Sequence, residues 1–242
     1  MKPKIFFVCC GPGDRKLITV KGEEIIKATD TVFYFPPYEK VFGDILKGKK
    51  RYAFFDYTFE EIKKIIEFSN NDIAFLVPGD LSVFSPFSSF LHYFGERIEV
   101  IPGIGTYSYF AAKLKKILNP CGKVYGVTIT STRMLSEEIG DFSFKELFHP
   151  KTTLVIYMNT LSIKELVKKL LELYNDTTPI YIGFNLAGEN EEIFSGTLAN
   201  IEKSIPYDLT KEKFATIMVG NFEEMPFNKS WWNKKAEEKI RK

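Results

Sequence analysis

The chain has 242 residues, 45% of them hydrophobic, which is enough material for a sizeable core in one large or two modest domains. Its 33 basic and 31 acidic residues give a formal net charge of +2, so composition makes no case for a nucleic acid or membrane partner. Three cysteines and two histidines, with no C-x-x-C pair, are too few for a disulfide framework and predict no metal site.

The start of the chain has no signal-peptide pattern, and no apolar stretch approaches the roughly 20 residues that span a bilayer. We therefore expect a reduced protein of the cytoplasm. The histidines fall in a predicted helix (His92) and before a proline (His149), where structural roles are expected for both.

Short apolar runs rich in β-branched and aromatic residues predict the strands. In chain order they are KIFFVC, TVFYF, DIAFLV, IEVIP, VYGVTIT, TTLVIYM, PIYIGF, EEIFSGTL and FATIMVG. Amphipathic stretches predict two helices that open with capping boxes, formed by Thr58 with Glu61 and by Ser162 with Glu165. Alternating strands and helices favour a mostly parallel sheet flanked by helices in the first half. Closely spaced strands predict a partly antiparallel sheet in the second half.

The strongest break in the middle of the chain is KILNPCGK. We place a domain boundary there, which gives an N-terminal α/β domain over 1–118 and a C-terminal α/β domain over 119–228. The remaining 229–242 form a basic tail. Its two tryptophans are expected to pack, as part of a terminal helix, on the tail's own domain.

Three glycine-containing loops follow strands in the first half of the chain. They are GPGD, VPGDLSVFS and IPGIGTYS. Glycine permits a positive φ and a close approach of the main chain to a ligand, and each loop leads towards a helix start with free N–H groups. Because the carboxyl ends of parallel strands meet at one edge of a sheet, the three loops together predict a ligand site there.

The common short motifs do not identify that ligand. A dinucleotide fingerprint, G-x-G-x-x-G, would need a glycine at position 16, which is occupied by Lys16. Neither G-x-x-x-x-G-K-[ST] nor G-x-S-x-G occurs, so the sequence supports neither a P-loop nucleotidase nor a serine hydrolase.

Longer motifs, taken in order, resemble one family. They are GPGDRKLITVKG, PGDLSVFS, VIPGIGTYSYFAA, TTLVIYM, TPIYIGFNLAGENEEIFSGTL and FATIMVG. Over residues 3–221 they resemble the tetrapyrrole methylases, which are S-adenosylmethionine-dependent enzymes of corrin and sirohaem synthesis. The resemblance implies two α/β domains with mixed sheets and a cleft between them, usually in a homodimer, with the methyl donor at the bottom of the cleft and the macrocycle above it.

The resemblance also implies site residues, position by position. Those implied to bind S-adenosylmethionine are Pro12, Pro78, Gly79, Asp80, Val83, Gly105, Thr106, Met158, Leu186, Ala187 and Thr197. Those implied to bind the tetrapyrrole, whose acidic side arms favour basic partners, are Gly13, Asp14, Arg15 and Arg133. Asp14 is also the candidate general base, although an aspartate in such a loop equally fits a helix cap. No nucleophilic residue is expected, because the donor itself supplies the reactivity.

Several alternatives stay open. Within the family, GPGD…LITVKG, the pair TR and TLVIYM…TPI most resemble enzymes that methylate carbon 11 of precorrin-4 or its cobalt form. Enzymes that methylate carbon 20 of precorrin-2 are also resembled, through FSPFSSF and PGIGTYSYFAA. Two hypotheses belong to other classes: a nucleotide-binding oxidoreductase that uses GPGD as an anion-binding turn, and a non-catalytic sensor that binds the donor alone.

Overall fold

A computed structural model of the protein describes residues 3–120, 122–135, 144–208, 215–222 and 229–240. The chain divides into two compact units. Unit 1 comprises Met1–Phe110 together with Phe184–Glu192, and unit 2 comprises Ala111–Gly183 together with Ile193–Lys242. Cys121, inside the predicted boundary motif, lies outside the described residues, and the domain division at residue 119 stays a prediction.

The elements that begin in the first part of unit 1 alternate between strand and helix, as the sequence predicts. They are β1 (Ile5–Cys9), α1 (Val20–Ala28), β2 (Thr31–Tyr34), α2 (Pro37–Val41), α3 (Gly43–Leu46), β3 (Lys50–Ala53), α4 (Phe59–Glu67), β4 (Ile73–Val77), α5 (Ser88–Phe94), β5 (Ile98–Ile101) and α6 (Thr106–Leu114). The four strands predicted for this part are all present, and β3 is an addition.

The sheet of unit 1 has the strand order β3-β2-β4-β1-β5, and its neighbouring strands run parallel. The register places Phe75 of β4 beside Phe7 of β1 on one side and Phe33 of β2 on the other. These cross-strand neighbours stack their rings, with centroids 4.7 Å and 4.6 Å apart. A run of three stacked phenylalanine rings therefore crosses the middle of the sheet.

Both faces of this sheet are covered, as is usual for parallel sheets. One face packs the phenylalanine run against Ile62 and Ile66 of α4 and Phe90 of α5. The opposite face includes Val8 and packs against Ile26 of α1. The capping box predicted at the start of α4 is present, with both of its reciprocal hydrogen bonds.

Unit 2 contains a mixed sheet, which confirms the predicted antiparallel part. Its elements are β6 (Gly126–Ser131), α7 (Phe144–Leu147), β7 (Thr152–Tyr157), α8 (Ile163–Leu171), β8 (Pro179–Phe184), β9 (Glu192–Thr197), β10 (Thr216–Val219) and α9 (Lys229–Ile240). The strand order is β6-β7-β10-β8-β9, in which β6 and β7 are parallel and β10 is antiparallel to both β7 and β8. The capping box predicted for α8 is present. The predicted α/β class is therefore confirmed.

Helix α9 forms in the tail, where Trp231 and Trp232 are 50% and 65% exposed. Their packing on the domain stays a prediction. Their rings contact each other edge to face, 5.1 Å apart. Their exposure has a physical reason, because lysines and glutamates surround the described helix on all sides and leave it no apolar stripe. Within the described residues, no helix is long and apolar enough to cross a membrane.

Candidate functional site

The three glycine loops begin at neighbouring strands of one sheet. Strands β4, β1 and β5 lie side by side in that order, and all three run in the same direction. Their carboxyl ends therefore share one edge, which is where open α/β sheets bind ligands. The predicted meeting of the three loops is confirmed for unit 1.

The first two loops are joined through their main chains. The N–H of Gly79 donates to the carbonyl oxygen of Gly11 at 2.8 Å, and the N–H of Gly11 donates to that of Gly79 at 3.3 Å. Both residues have a positive φ, +77° at Gly11 and +64° at Gly79, which a side chain would disfavour. The two glycines thus turn the chain at the ends of β1 and β4 while keeping the loops paired.

A tyrosine of α2 fixes the position of the first loop. The hydroxyl of Tyr38 donates to the carbonyl oxygen of Gly11 at 2.9 Å, and the side chain is only 4% exposed. Burial raises the pKa of Tyr38 well above its usual value, so the hydroxyl stays protonated and keeps donating. Sequence reasoning missed this residue because nothing in its local pattern points to a partner 27 positions away.

The third loop packs directly on the end of β1. A methyl carbon built on Gly103 would lie 2.4 Å from the carbonyl oxygen of Cys9, so only glycine fits there. The Cys9 sulfur accepts a hydrogen bond from the Leu81 N–H at 3.3 Å, which attaches the second loop to the same strand. Burial raises the pKa of the Cys9 thiol, so the sulfur stays neutral. Cys9 therefore holds two of the loops, a role that the sequence did not indicate.

Two buried glycines, Gly79 and Gly105, lie where the second and third loops meet. Among the described residues, a methyl carbon built on Gly79 would have one near neighbour, Thr106 Oγ1 at 3.7 Å. One built on Gly105 would lie 3.0 Å from the ring of Tyr107 and 3.7 Å from the Cβ of Asp80, so the space beside Gly105 is filled by the protein itself. The Asp80 carboxylate caps its own turn by accepting from the Ser82 N–H at 2.8 Å. The Asp80 carboxylate and the main chain of the two loops together form a donor and acceptor set that fits the hydroxyls and amines of a nucleoside.

A fourth segment, the 185–191 loop, lies against the first glycine loop within unit 1. A methyl carbon built on Gly13 would lie 3.4 Å from the carbonyl oxygen of Ala187 and 3.5 Å from that of Leu186. The predicted residues of these two segments, about 170 positions apart in the sequence, are therefore neighbours. The main chains of the three glycine loops and of the 185–191 loop therefore lie in one part of unit 1.

Two predicted substrate residues of the first loop have partners within unit 1. Asp14 is exposed, and its carboxylate accepts from an N–H two residues on at 2.8 Å, which caps the 3₁₀ turn Arg15–Leu17. Arg15 Nη2 lies 3.1 Å from a carboxylate oxygen of Glu23 and 3.2 Å from one of Asp44. The predicted cap at Asp14 is thus present, and the charge of Arg15 is already shared between two carboxylates.

The predicted residues of unit 2 lie at strand ends. Met158 follows β7 with a φ of +48°, and its carbonyl oxygen accepts from the Thr132 hydroxyl at 3.2 Å. Arg133 is exposed in the turn after β6, and since β6 and β7 are parallel neighbours it lies at the same sheet edge as Met158. Thr197 ends β9, where its N–H donates to Asn200 Oδ1 at 2.8 Å. Ligand roles for these residues stay predictions.

Comparison with known proteins identifies a family and named relatives. Residues 4–202 match the model of the family described as Tetrapyrrole (Corrin/Porphyrin) Methylases. The chain is similar to the cobalt-precorrin-4 C(11)-methyltransferase of Methanocaldococcus jannaschii, with 27% identity over 90% of this chain and 87% of the relative. It is also similar to the precorrin-4 C(11)-methyltransferase of Mycobacterium tuberculosis, with 26% identity over 90% of each chain.

The fold also has solved counterparts. The crystal structure of a cobalt precorrin-4 methyltransferase superposes with a TM-score of 0.77, over 90% of this chain and 94% of that one, at 20% sequence identity. At that level of identity the likeness concerns the fold, and it extends over nearly the full length of both chains.

Proposed function

The chain belongs to the tetrapyrrole methylase family, whose methyl donor is S-adenosylmethionine, and we propose that this methyltransferase methylates carbon 11 of precorrin-4 or of cobalt-precorrin-4. One observation carries the choice of substrate. Two relatives from different organisms are both named for carbon 11 of precorrin-4, and each matches this chain over 87–90% of its own length. A likeness that extends over nearly the full length of both relatives supports the same position on the macrocycle.

We assign the main chain of four loops of unit 1 to binding of the methyl donor. Its residues in this role are Pro12, Pro78, Gly79, Asp80, Val83, Gly105, Thr106, Leu186 and Ala187. The support is that the loops carrying them adjoin one another, and that a methyl carbon built on Gly79 would meet no described heavy atom closer than 3.7 Å. The assignments of Met158 and Thr197 rest on the family pattern alone.

The chemistry asks little of the protein beyond position. Bound S-adenosylmethionine supplies a methyl group on a positively charged sulfur, so no residue has to act as a nucleophile. The paired loops at Gly11 and Gly79 hold their peptide groups rigidly, which favours one orientation of whatever binds them. The Asp80 carboxylate, fixed by its own turn, offers acceptors to a ligand hydroxyl. These loops thus bind and orient the methyl donor, and they take no part in proton transfer.

The first loop is assigned to accept the proton that the macrocycle loses after methyl transfer. We assign Asp14 as the general base, because its carboxylate is exposed and held in place by the turn it caps. The assignment of the neighbouring Gly13 to the macrocycle rests on the family pattern alone. Arg15 and Arg133 are assigned to the acidic side arms of the substrate. For Arg15 this requires competition with Glu23 and Asp44, which both bind its guanidinium.

The setting of the enzyme is part of the proposal. We expect a homodimer in the cytoplasm, as the family pattern implies. Light scattering of the purified chain at two concentrations tests the dimer, and cell fractionation tests the compartment.

The test of function is anaerobic incubation with S-adenosylmethionine and, separately, precorrin-4, cobalt-precorrin-4 and precorrin-2. The product mass reports methyl transfer, and NMR with a ¹³C-labelled methyl donor reports the ring carbon. We expect one new methyl group at carbon 11 of one precorrin-4 form. Methylation of precorrin-2 at carbon 20 would replace the proposed substrate, and binding of the donor without turnover of any substrate would identify a sensor.

A matched pair of variants separates the donor site from general damage. In Gly79→Val, a β-branched side chain is forced into a positive φ beside the site, so methyl transfer should be lost. In Gly48→Val the same side chain is forced into a positive φ, with no described heavy atom within 4 Å of the new carbon, and activity should be unchanged. If both variants were equally active, the assignment of the second loop to the donor site would be wrong.

A further inference from the structure

Glu191 occupies a place that neither the family pattern nor the glycine loops assigned. It closes the 185–191 loop and is half-buried within unit 1. One of its carboxylate oxygens, Oε2, accepts two hydrogen bonds. One comes from the N–H of Ala187 and the other from the hydroxyl of Tyr109, both at 2.7 Å.

Those distances indicate strong bonds. Hydrogen bonds to an ionised carboxylate are shorter and about twice as strong as those between neutral groups, and 2.7 Å lies in the range of charge-assisted contacts. Without the carboxylate, the peptide N–H of Ala187 and the hydroxyl of Tyr109 would each need another acceptor in a half-buried place. Glu191 therefore fastens the loop to the first turns of α6.

The loop needs such a fastening because its main chain is strained. Asn185 has a φ of +46° and Ala187 a φ of +62°, in the left-handed region that side chains disfavour. The loop also has a local bond, in which the Gly188 N–H donates to the Asn185 carbonyl at 2.8 Å, and an exposed ion pair between Glu189 and Lys40. The bond from Ala187 to Glu191 holds the second strained residue in place.

Both ends of this anchor reach the proposed donor site. Ala187 and Leu186 present their carbonyl oxygens to Gly13 of the first glycine loop. The N–H of Tyr109 donates to the carbonyl oxygen of Gly105, in the third glycine loop, at 3.1 Å. One carboxylate oxygen thus connects two of the segments to which the proposed function assigns the donor.

We propose that Glu191 is a positioning residue for the methyl donor. It touches no reacting atom, and acts by holding the main chain of Ala187 and the side chain of Tyr109 in the arrangement that the donor binds. This inference rests on the proposed function for the identity of the donor, and on the two hydrogen bonds for the role of Glu191.

The test measures binding of S-adenosylhomocysteine, the demethylated donor, by calorimetry to the full chain. Glu191→Leu removes the acceptor at similar volume and should weaken binding about tenfold, the equivalent of one charged hydrogen bond. Glu191→Gln keeps an oxygen that can accept both bonds, so it should restore binding to within about threefold of the wild-type value. The matched control is Glu189→Gln, which removes a charge from the same loop where its partner is the exposed Lys40, and its binding should not change.

Tyr109→Phe keeps the inference testable if Glu191→Leu folds poorly. It deletes one donor and should weaken binding by a smaller factor, and wild-type binding by this variant would overturn the role. Where Glu191→Leu folds, a double variant gives a further measurement. The double variant Tyr109→Phe with Glu191→Leu should bind no more weakly than Glu191→Leu alone, because both act through one oxygen. Wild-type binding by Glu191→Leu, equal loss in Glu191→Leu and Glu191→Gln, or additive losses in the double variant would each overturn the role.

Amide exchange separates this inference from the proposed function. In the absence of any ligand, the Ala187 N–H should exchange at least tenfold faster in Glu191→Leu than in the wild type, since its acceptor is gone. An unchanged rate would refute the anchor even if the enzyme methylates precorrin-4. A wild-type chain that shows the protected amide but does not bind S-adenosylhomocysteine would instead refute the proposed donor.

Discussion

Gly103 lies so close to the end of β1 that a side chain has no room there. In Gly103→Ala the new carbon would lie 2.4 Å from a main-chain oxygen of Cys9, so the third loop must move. We expect the free energy of unfolding to fall by about 1–3 kcal/mol, as in other overpacked positions. Urea denaturation measures it. Gly43→Ala, with open space around its new carbon, is the control, and equal stability of the two variants would contradict the close contact.

Asp14 has two roles that one substitution can separate. Asparagine caps a helical turn as well as aspartate does, so Asp14→Asn should retain both stability and affinity for the donor. Because the amide cannot accept a proton as a base, kcat should fall by about 10²–10⁴-fold. Steady-state kinetics with each substrate varied in turn measure both constants. A kcat within twofold of the wild-type value would leave Asp14 with the cap alone.

Single residues also show where sequence reasoning stops. The glycines at 11, 79 and 105 could be found because a strand followed by a glycine turn is a local pattern. Tyr38 and Glu191 could not, since each acts on a partner brought near only by the folded chain. Nothing in the residues around them differs from an ordinary surface helix or a polar loop.

At the scale of elements, the two capping boxes carry a dependence on pH. Hydrogen bonds from Thr58 hold the pKa of Glu61 below its usual value of 4.5, and hydrogen bonds from Ser162 do the same for Glu165. A lowered folded-state pKa contributes stability that is present above about pH 4.5 and is lost as the pH falls through the folded-state pKa. We therefore expect Glu61→Gln to destabilise the protein at pH 7 and to have less effect as the pH falls below 4.

The measurement is urea denaturation of the wild type and the variant across that pH range. Glu60→Gln removes a charge from the same first turn of α4 without touching the box, so its difference from the wild type should not follow the same pH course. If the free energy of unfolding of Glu61→Gln differs from that of the wild type by a constant amount down to pH 3, the reciprocal hydrogen bonds do not depend on the ionised carboxylate.

Elements with strong local signals were predicted, and those with weak ones were not. The helices α4 and α8 combine a capping box with an apolar stripe, and both form where expected. Strand β3 was missed because its sequence, KRYA, has two charged residues and only a short apolar part. It lies at the edge of the sheet, where such a strand needs only one partner and its charges reach solvent.

At the scale of the whole molecule, the ordered set of motifs predicts a shared ligand site that no single motif predicts. Each glycine loop is an ordinary turn when taken alone, but the three follow neighbouring parallel strands and so converge. That convergence was predictable from strand order rules. The exposure of the two tryptophans in the tail was not predictable. Whether a terminal helix packs depends on a surface that the local sequence does not describe.

The central claim is that the main chain of the glycine loops in unit 1 binds the methyl donor, and a crystal structure of the complex with S-adenosylhomocysteine tests it most directly. We predict electron density for the ligand against the peptide groups of Gly79, Asp80, Gly105 and Thr106. Ligand density elsewhere on the chain, with these peptide groups bonded only to the protein and solvent, would contradict the claim.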